Sequence, residues 1–547
     1  MKIKYLLIAL LISLTASAQK NKPVNTETLP RPKLVVGIMV DQMRWDFLYR
    51  YYDRYQAGGF KRMLNEGFSA ENTNIDYATT VTGIGHATVY TGSVPSFHGI
   101  SGNDFIIQET GKTMYCTEDT TVKTVGSGSK AGEMSPKNLF TTTITDELKL
   151  ATNFKSKVIG ISLKDRGAIL PAGHTANAAY WFDDASGGWI TSTYYMKQLP
   201  VWVNKLNSSK LPEKYLKQDW NTLYPINTYI QSSADSNPYE GKFSEATDGT
   251  LPVKTSEMMQ KGVGIIRNTP YGNSITMDMA KAAIDNENLG QNGVTDFLAL
   301  SFSSPDYIGH MFGPNSIEVE DTYLRLDRDM ADLLSYLDKK LGQGNYTTFL
   351  TADHGVAHNP KFLTDNKIPA GLWPTSQILK DLNEALDKEF KVKNLVISFG
   401  NYQVSFNNLL ITSQKLKESE IRKFSVDFLQ NQPGVVYAID IAEVKTAPIP
   451  EILKDKIIKS YNRERSGVIQ IILKPGYYSG YSTTGSTHGS WNPYDSHIPL
   501  VFMGWGIRPG KTNAATGMTD IAATLAALLR IQMPNGCIGQ PIAEALK

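Results

Sequence analysis

The sequence predicts an α/β protein: a three-layer α/β/α sandwich around a mostly parallel central sheet, with inserted cap regions. Short unbroken apolar runs recur along it, LVVGIMV, VIGISL, FLALSF, TTFLTA and IPLVFMG. Runs of this length fit strands buried on both faces of a parallel sheet. Helical patterns separate them, as α/β alternation requires. The polar residues then stand where chemistry is expected: Asp41, Lys164, Asp306 and Asp353 each follow an apolar run. Open α/β sheets bind ligands at that carboxyl edge.

Taken in order, residues 1–18 read as a secretory leader. Lys2 and Lys4 precede an apolar run from Tyr5 to Leu14, and Ala16-Ser17-Ala18 offers a cleavage site after Ala18. The run is too short to span a bilayer. No cysteine stands near the cut, so no stable membrane anchor is expected. An exported protein, periplasmic or secreted, follows. Residues 19–360 form the expected catalytic core, with a surface insertion at about 190–262 that is rich in Tyr, Trp, Asn, Ser and Pro. In SIEVEDTYLRLDRDMADLLSYLDKKLG, Tyr323, Met330, Leu333, Leu337 and Leu341 share a helical face, and Gly342 suits the C-terminal cap. Residues 361–475 read as an inserted α+β cap domain, with NYQVSFNN, GVVYAID and GVIQIILKPG strand-like and QKLKESEIRKFSVDFLQN helical. Residues 476–547 return to the core.

The chain carries 55 basic and 53 acidic side chains. Losing Lys2 and Lys4 with the leader equalises them. A neutral mature chain has no general electrostatic reason to bind nucleic acid. Cys116 and Cys537 are the two cysteines, which in an exported protein permits one long-range disulfide. Two buried thiols are the alternative.

Asp306 and His310 in SSPDYIGHMFGP are four apart and share one face of a helical turn. With His488 in GSTHGS they make a possible set of one carboxylate and two imidazoles, a common way to hold catalytic zinc with a position left open. Asp41, Asp353 and His354 make a second possible set from neighbouring strand ends. A single such Asp is ordinarily a turn or helix cap, and it is the convergence of six residues beside Gly, Ser or Pro that points to metal. His86, His98, His174, His358 and His497 are read as structural or supporting.

Thr82 precedes a short helix expected from Gly83 to about Tyr90, where free N–H groups favour negative charge. Metal coordination can turn a threonine hydroxyl into a nucleophile. A helix cap is the simpler role for Thr82, and Thr79 and Thr80 compete with it on spacing. Lys164 and Arg166 end another core run. Two dications would be balanced by three carboxylates and a threonine alkoxide, so a phosphoryl dianion needs further positive charge, which this pair supplies. Asn103 in SGND can donate to the same group.

Asp41 after LVVGIMV, Thr82-Gly-Ile-Gly-His with TGSVPSFHGI, Asp306/His310, ADHG, THGS and TDIAATLAALLRI together resemble the alkaline phosphatase superfamily, across essentially the whole mature chain and in order. Within it the sequence is most similar to the secreted, phosphate-irrepressible bacterial type, built on a core shared with nucleotide pyrophosphatases/phosphodiesterases. The resemblance implies two zinc ions, one on Asp306, His310 and His488, the other on Asp41, Asp353 and His354 with Thr82 as nucleophile and ligand. It implies that Asn103, Lys164 and Arg166 bind phosphoryl oxygens, and that small phosphate monoesters are hydrolysed through a phosphothreonine; a monomer is expected. Gly85 departs from the diesterase pattern, which has Asn there. Lys164 takes the place of a magnesium site.

Phosphodiesterase activity on the same core is the nearest rival. A sulfatase is disfavoured because SVPSF ends in Phe where that branch needs Arg, and Cys116 is followed by Thr-Glu-Asp. A non-catalytic zinc-containing binding protein would need closed four-ligand sites, whereas each set here offers three protein side chains before Thr82.

Overall fold

A computed structural model of the protein describes residues 29–243 and 249–547; the expected leader lies outside them. Residues 32–547 form one compact unit. Its centre is a mixed sheet of eleven strands among the described residues. Four of these strands carry the site: β1 (Leu34–Val40), β2 (Val158–Ser162), β3 (Asp296–Phe302) and β4 (Tyr346–Thr351). They run parallel in the order β4, β1, β3, β2. Leu500–Gly504 pairs antiparallel with β4 on one flank, and Ala178–Asp183 continues the parallel set beyond β2. Every residue of the four strands is buried, which is why their sequences show no alternation.

Register levels the strand ends. Val40 pairs with Phe302, Met39 with both Ser301 and Thr351, and Ser162 with Ser301. The residues after them therefore emerge along one edge.

Helices pack in two sets, one for each face of the sheet. The first comprises α1 (Thr82–Thr91), α2 (Asp165–Ala172), Ile144–Ala151 and Asp520–Leu529; the second comprises Tyr271–Asn286, α3 (Ser304–Phe312) and α4 (Ile317–Leu341). In α4 the Ser316 hydroxyl accepts from the Val319 N–H, and the chain leaves through Gly342 at φ 88°. Tyr323, Met330, Leu333, Leu337 and Leu341 are all buried, as the spacing predicts.

A second sheet of four antiparallel strands, Val396–Ser398, Gln403–Phe406, Ile469–Leu473 and Val435–Asp440, has its own apolar cluster around Trp373, Leu382, Val404 and Ile421. Where the chain enters and leaves this region, Gly371–Trp373 and Tyr477–Ser479 pair in parallel.

The disulfide that two cysteines permit is not formed, and Cys116 and Cys537 are both thiols. The reason is distance. Cys116 lies against Gly83 at the start of α1, whereas Cys537 lies against Gly92 just past its end. A helix rising about 1.5 Å per residue sets those positions roughly 14 Å apart, and a disulfide needs Cα atoms within about 7 Å.

Candidate active site

The site is built first from strand ends. Asp41 follows β1 directly, and its backbone N–H donates to the Phe302 carbonyl at 3.0 Å. Gln42 then takes a left-handed conformation, φ 68°, which is uncommon for a residue other than Gly, Asn or Asp. That turn aims its backbone N–H at Asp353 Oδ1 (3.1 Å) and its side-chain Nε2 at Asp306 Oδ1 (2.7 Å). One residue thereby ties the ends of β1, β3 and β4 together. Gly309 makes room, because a Cβ there would collide with the Gln42 amide. Gln42 was not anticipated from sequence.

Three of the eight histidines converge on these carboxylates. Their Nδ1 atoms each meet a backbone carbonyl: His310 with Ser486 at 2.9 Å, His354 with Gly355 at 3.0 Å, His488 with Thr80 at 2.7 Å. Donation from Nδ1–H fixes the tautomer and leaves the Nε2 lone pair facing inward, as for metal-ligating imidazoles. His310 Nε2 lies 3.1 Å and His488 Nε2 3.5 Å from Asp306 Oδ1. His354 Nε2 lies 3.7 Å from Asp41 Oδ1 and 3.4 Å from Asp353 Oδ2. The His354 and His488 rings stack, with centroids 3.5 Å apart. The other five histidines have different company; His86, for instance, meets the Thr82 carbonyl through Nδ1 and the Ser301 hydroxyl through Nε2, with its ring beside Asp353.

Two ligand groups emerge with donor atoms all within 4.8 Å of one another, Asp306/His310/His488 and Asp41/Asp306/His354. The first is the set expected from sequence. In the second, Asp306 stands where Asp353 was expected, and Asp353 touches the group through His354. The donor chemistry fits divalent metal. Asp41 Oδ1 and Asp353 Oδ2 are buried without a hydrogen-bond partner, an arrangement that costs free energy unless a cation meets them. Burial holds the His354 and His488 pKa values below the imidazole norm, and for His488 the neighbouring histidines add to this, so both rings favour the neutral, ligating form. Burial pushes the Asp41 carboxyl well up, reinforced by Asp306 and Asp353. At Asp306 burial acts the same way, but His310 and Lys164 outweigh it and hold the carboxyl well below its usual range.

Lys164 does not stand free. Its ammonium is lodged between Asp41 Oδ2 at 2.7 Å and Asp306 Oδ2 at 2.5 Å, and lies 4.9 Å from the centre of the Tyr307 ring. Burial lowers its pKa, yet Asp306 and Asp41 outweigh that and keep it charged.

Thr82 is the first residue of α1, and the residue before it, Val81, offers no capping side chain. Its hydroxyl lies 3.5 Å from His354 Nε2. The two neighbouring threonines are occupied elsewhere: Thr79 donates to the Asn401 carbonyl (3.3 Å) and Thr80 to the Ser490 carbonyl (2.8 Å). Of the three hydroxyls, that of Thr82 is the one that meets a side chain of the cluster. Gly85 explains the departure noted in sequence. A Cβ at 85 would sit 2.6 Å from the Asp353 Cβ, so its absence lets α1 lie against the end of β4.

Donors also gather near the start of α1. Asn103 Oδ1 accepts from the Gly83 N–H at 2.8 Å, which orients the amide and leaves its NH2 available. Arg166, in the first turn of α2, donates through Nη1 to the Tyr115 hydroxyl at 3.0 Å, while its buried Nε has no partner. Tyr115 in turn donates to Asp165 Oδ1 at 2.9 Å, and Thr117 donates to Asp165 Oδ2. Tyr115, Asp165 and Thr117 were not anticipated; nothing in a hairpin strand such as KTMY, paired with Asp104–Ile107, marks a phenol as a partner for Arg166.

Carboxylates and imidazoles at the carboxyl edge of a parallel sheet, with a threonine at a helix start and donors beyond it, describe a metal-assisted hydrolase of anionic esters. The chain belongs to the type I phosphodiesterase / nucleotide pyrophosphatase family, which it matches over residues 35–495, within the alkaline phosphatase superfamily. It is 53% identical to alkaline phosphatase PhoV of Synechococcus elongatus, with all of both chains covered. It is 57% identical to a Myroides odoratus protein named calcium-transporting ATPase, over 95% of this chain and 96% of that one. The crystal structure of wild-type alkaline phosphatase PafA, known from Elizabethkingia meningoseptica, matches with a TM-score of 0.94 and 51% identity, covering 95% of this chain and all of the other. A PafA variant with a threonine, an asparagine, a lysine and an arginine replaced together has also been solved; its TM-score is 0.93 at 50% identity, with the same coverage.

Proposed function

We propose that the protein is an exported, zinc-dependent alkaline phosphatase, active as a monomer, that hydrolyses phosphate monoesters through a phosphothreonine at Thr82. The observation that carries this reading is the Thr82 hydroxyl, 3.5 Å from His354 Nε2 in the Asp/His cluster, at the start of the helix whose Gly83 N–H holds the Asn103 amide. The four residue types replaced together in the PafA variant are those of Thr82, Asn103, Lys164 and Arg166.

Asp306, His310 and His488 would hold one zinc ion, and Asp41, Asp353 and His354 the other. When bound, zinc supplies Lewis acidity that lowers the Thr82 hydroxyl pKa and steadies the departing oxygen. Arg166 grips two phosphoryl oxygens through its planar fork, and Asn103 donates to a phosphoryl oxygen through its NH2. Thr82 Oγ1 attacks phosphorus as the P–O ester bond breaks and the alcohol leaves. Water then attacks the phosphothreonine, releases phosphate and restores the hydroxyl. Lys164 keeps Asp41 and Asp306 in place and adds positive charge close to a dianionic group.

The family's name favours a second reading, phosphodiester hydrolysis. A diester carries one negative charge fewer and draws less from Arg166 and Lys164. Calcium transport, suggested by the name of the Myroides relative, gains no support, since among the described residues no helix is long and apolar enough to cross a membrane. Phosphate release from phenyl phosphate, followed through chelation and zinc restoration with zinc content measured alongside, tests the assignment. Activity should vanish and return with two zinc ions. A metal-free protein of equal activity would overturn it.

A further inference from the structure

A cavity of about 500 Å³ opens beside the site, between the core edge and the region of the second sheet. Thr79, Val81 and His488 line it from the core, and Leu379, Phe399 and Tyr402 from the opposite wall. The remaining lining is Ile397 with glycine, hydroxyl and amide groups, and among the described residues no Lys, Arg, Asp or Glu side chain reaches it.

The far wall is fixed rather than loose. Tyr402 adopts a positive φ of 56°, which a bulky side chain accepts only when its surroundings hold it. Asn401 Nδ2 donates to the Ser101 and Asp104 carbonyls, both at 3.1 Å, and so fastens this wall to the loop that carries Asn103. The Tyr402 hydroxyl accepts from the Ser479 N–H at 2.9 Å.

Position decides what the cavity receives. Val81 directly precedes Thr82, and His488 belongs to the Asp306/His310 group rather than to the His354 group beside Thr82. In an in-line displacement the leaving oxygen lies opposite the nucleophile, which is the side of phosphorus that His488 borders. We infer that this cavity seats the alcohol portion of the ester and selects neutral, ring-bearing leaving groups over very small or anionic ones. This rests on the phosphatase reading above. The volume suits a ring, since small-molecule sites span roughly 300–1,000 Å³. Phe399 and Tyr402 supply aromatic surface and Val81 and Leu379 aliphatic surface. With no lysine or arginine on its described walls, a second anionic group on the alcohol would lose its hydration with no side-chain counter-charge to replace it.

The test compares benzyl, 4-carboxybenzyl and methyl phosphates, whose alcohols are of similar acidity, using the full-length protein and Leu379→Trp, which fills the cavity. The unsubstituted protein should favour benzyl over methyl phosphate in kcat/KM by about tenfold or more, the scale of hydrophobic pocket discrimination, and should disfavour the carboxybenzyl ester. Leu379→Trp should lower the benzyl-to-methyl ratio toward one, with inhibition by inorganic phosphate reporting an intact phosphoryl site. Equal kcat/KM for benzyl and methyl phosphate in the unsubstituted protein, or a benzyl-to-methyl ratio unchanged by Leu379→Trp, overturns the cavity assignment and leaves the phosphatase reading standing. Release of phosphate from none of the three esters overturns both.

Discussion

The two sides of Thr82 are built differently. The Asp/His side is delivered mainly by β1, β3, β4 and the turns after them, with His488 added from a loop; its three carboxylates and His354 are buried, His310 and His488 are partly so, and each of the three imidazoles is locked by a backbone carbonyl. The donor side is assembled from a loop, a hairpin and the first turn of α2, and Asn103 and Arg166 are only partly buried. One side is fixed by the sheet itself; the other depends on side chains that hold one another. Substitutions on the first should therefore act as all-or-none losses, and those on the second as graded ones.

Thr82→Ala probes the boundary between them and should have the largest effect. With the oxygen that attacks phosphorus removed, kcat should fall by at least about 10⁴-fold, on the scale of nucleophile losses elsewhere, while zinc content measured by atomic spectroscopy changes far less. A Thr82→Ala protein retaining a tenth of its activity would remove the distinction. Arg166→Ala comes next. Losing one charge-stabilising donor costs about 10²–10³ in rate, and the loss should be greater for phenyl phosphate than for a diester such as bis-p-nitrophenyl phosphate. Equal losses on both would favour the diesterase reading.

Gly85→Ala tests the rigid side through stability. The added methyl meets the Asp353 Cβ and backbone, which belong to a central strand end and cannot move aside cheaply. Overpacking of this kind costs about 1–3 kcal/mol, read as a lower urea midpoint with an unchanged slope. No change in midpoint would show that α1 and β4 are less tightly opposed than the close approach of Gly85 to Asp353 implies.

The contrast between the two sides also explains what the sequence made legible. Asp41 and Asp353 stand beside continuous apolar runs that could only be buried strands, and Asp306/His310 carries helical spacing, so convergence at one edge followed from the parallel sheet. That Asp306 also lies within reach of Asp41 and His354 was not readable, because it depends on the register of β1 against β3 and on the left-handed Gln42. That conformation is usually signalled by Gly or Asn, and here the residue is neither. Tyr115 was hidden for a different reason. It reaches Arg166 across fifty-one residues of chain through a hairpin whose sequence speaks only of local pairing. The cysteine pair illustrates the limit from the other side: an even count permitted a bridge that α1, lying between the two thiols, prevents.

Tyr115→Phe should give the smallest effect and is the most direct test of the graded side. The phenol accepts from Arg166 and donates to Asp165, so it passes the pull of a carboxylate to the guanidinium without presenting a second negative charge to the substrate. Removing the hydroxyl leaves the ring packed, but it frees Arg166 Nη1 from its hydrogen bond and leaves Asp165 Oδ1 to water. A single hydrogen bond is worth about 1 kcal/mol, which corresponds to roughly five- to tenfold in kcat/KM for phenyl phosphate. Because the guanidinium is loosened rather than removed, inhibition by inorganic phosphate should weaken by a similar factor, and Tyr115→Phe combined with Arg166→Ala should be no worse than Arg166→Ala alone. If the two substitutions instead multiply, Tyr115 acts on the site by a route that does not pass through Arg166, and the donor side is less of a single unit than its hydrogen bonds describe.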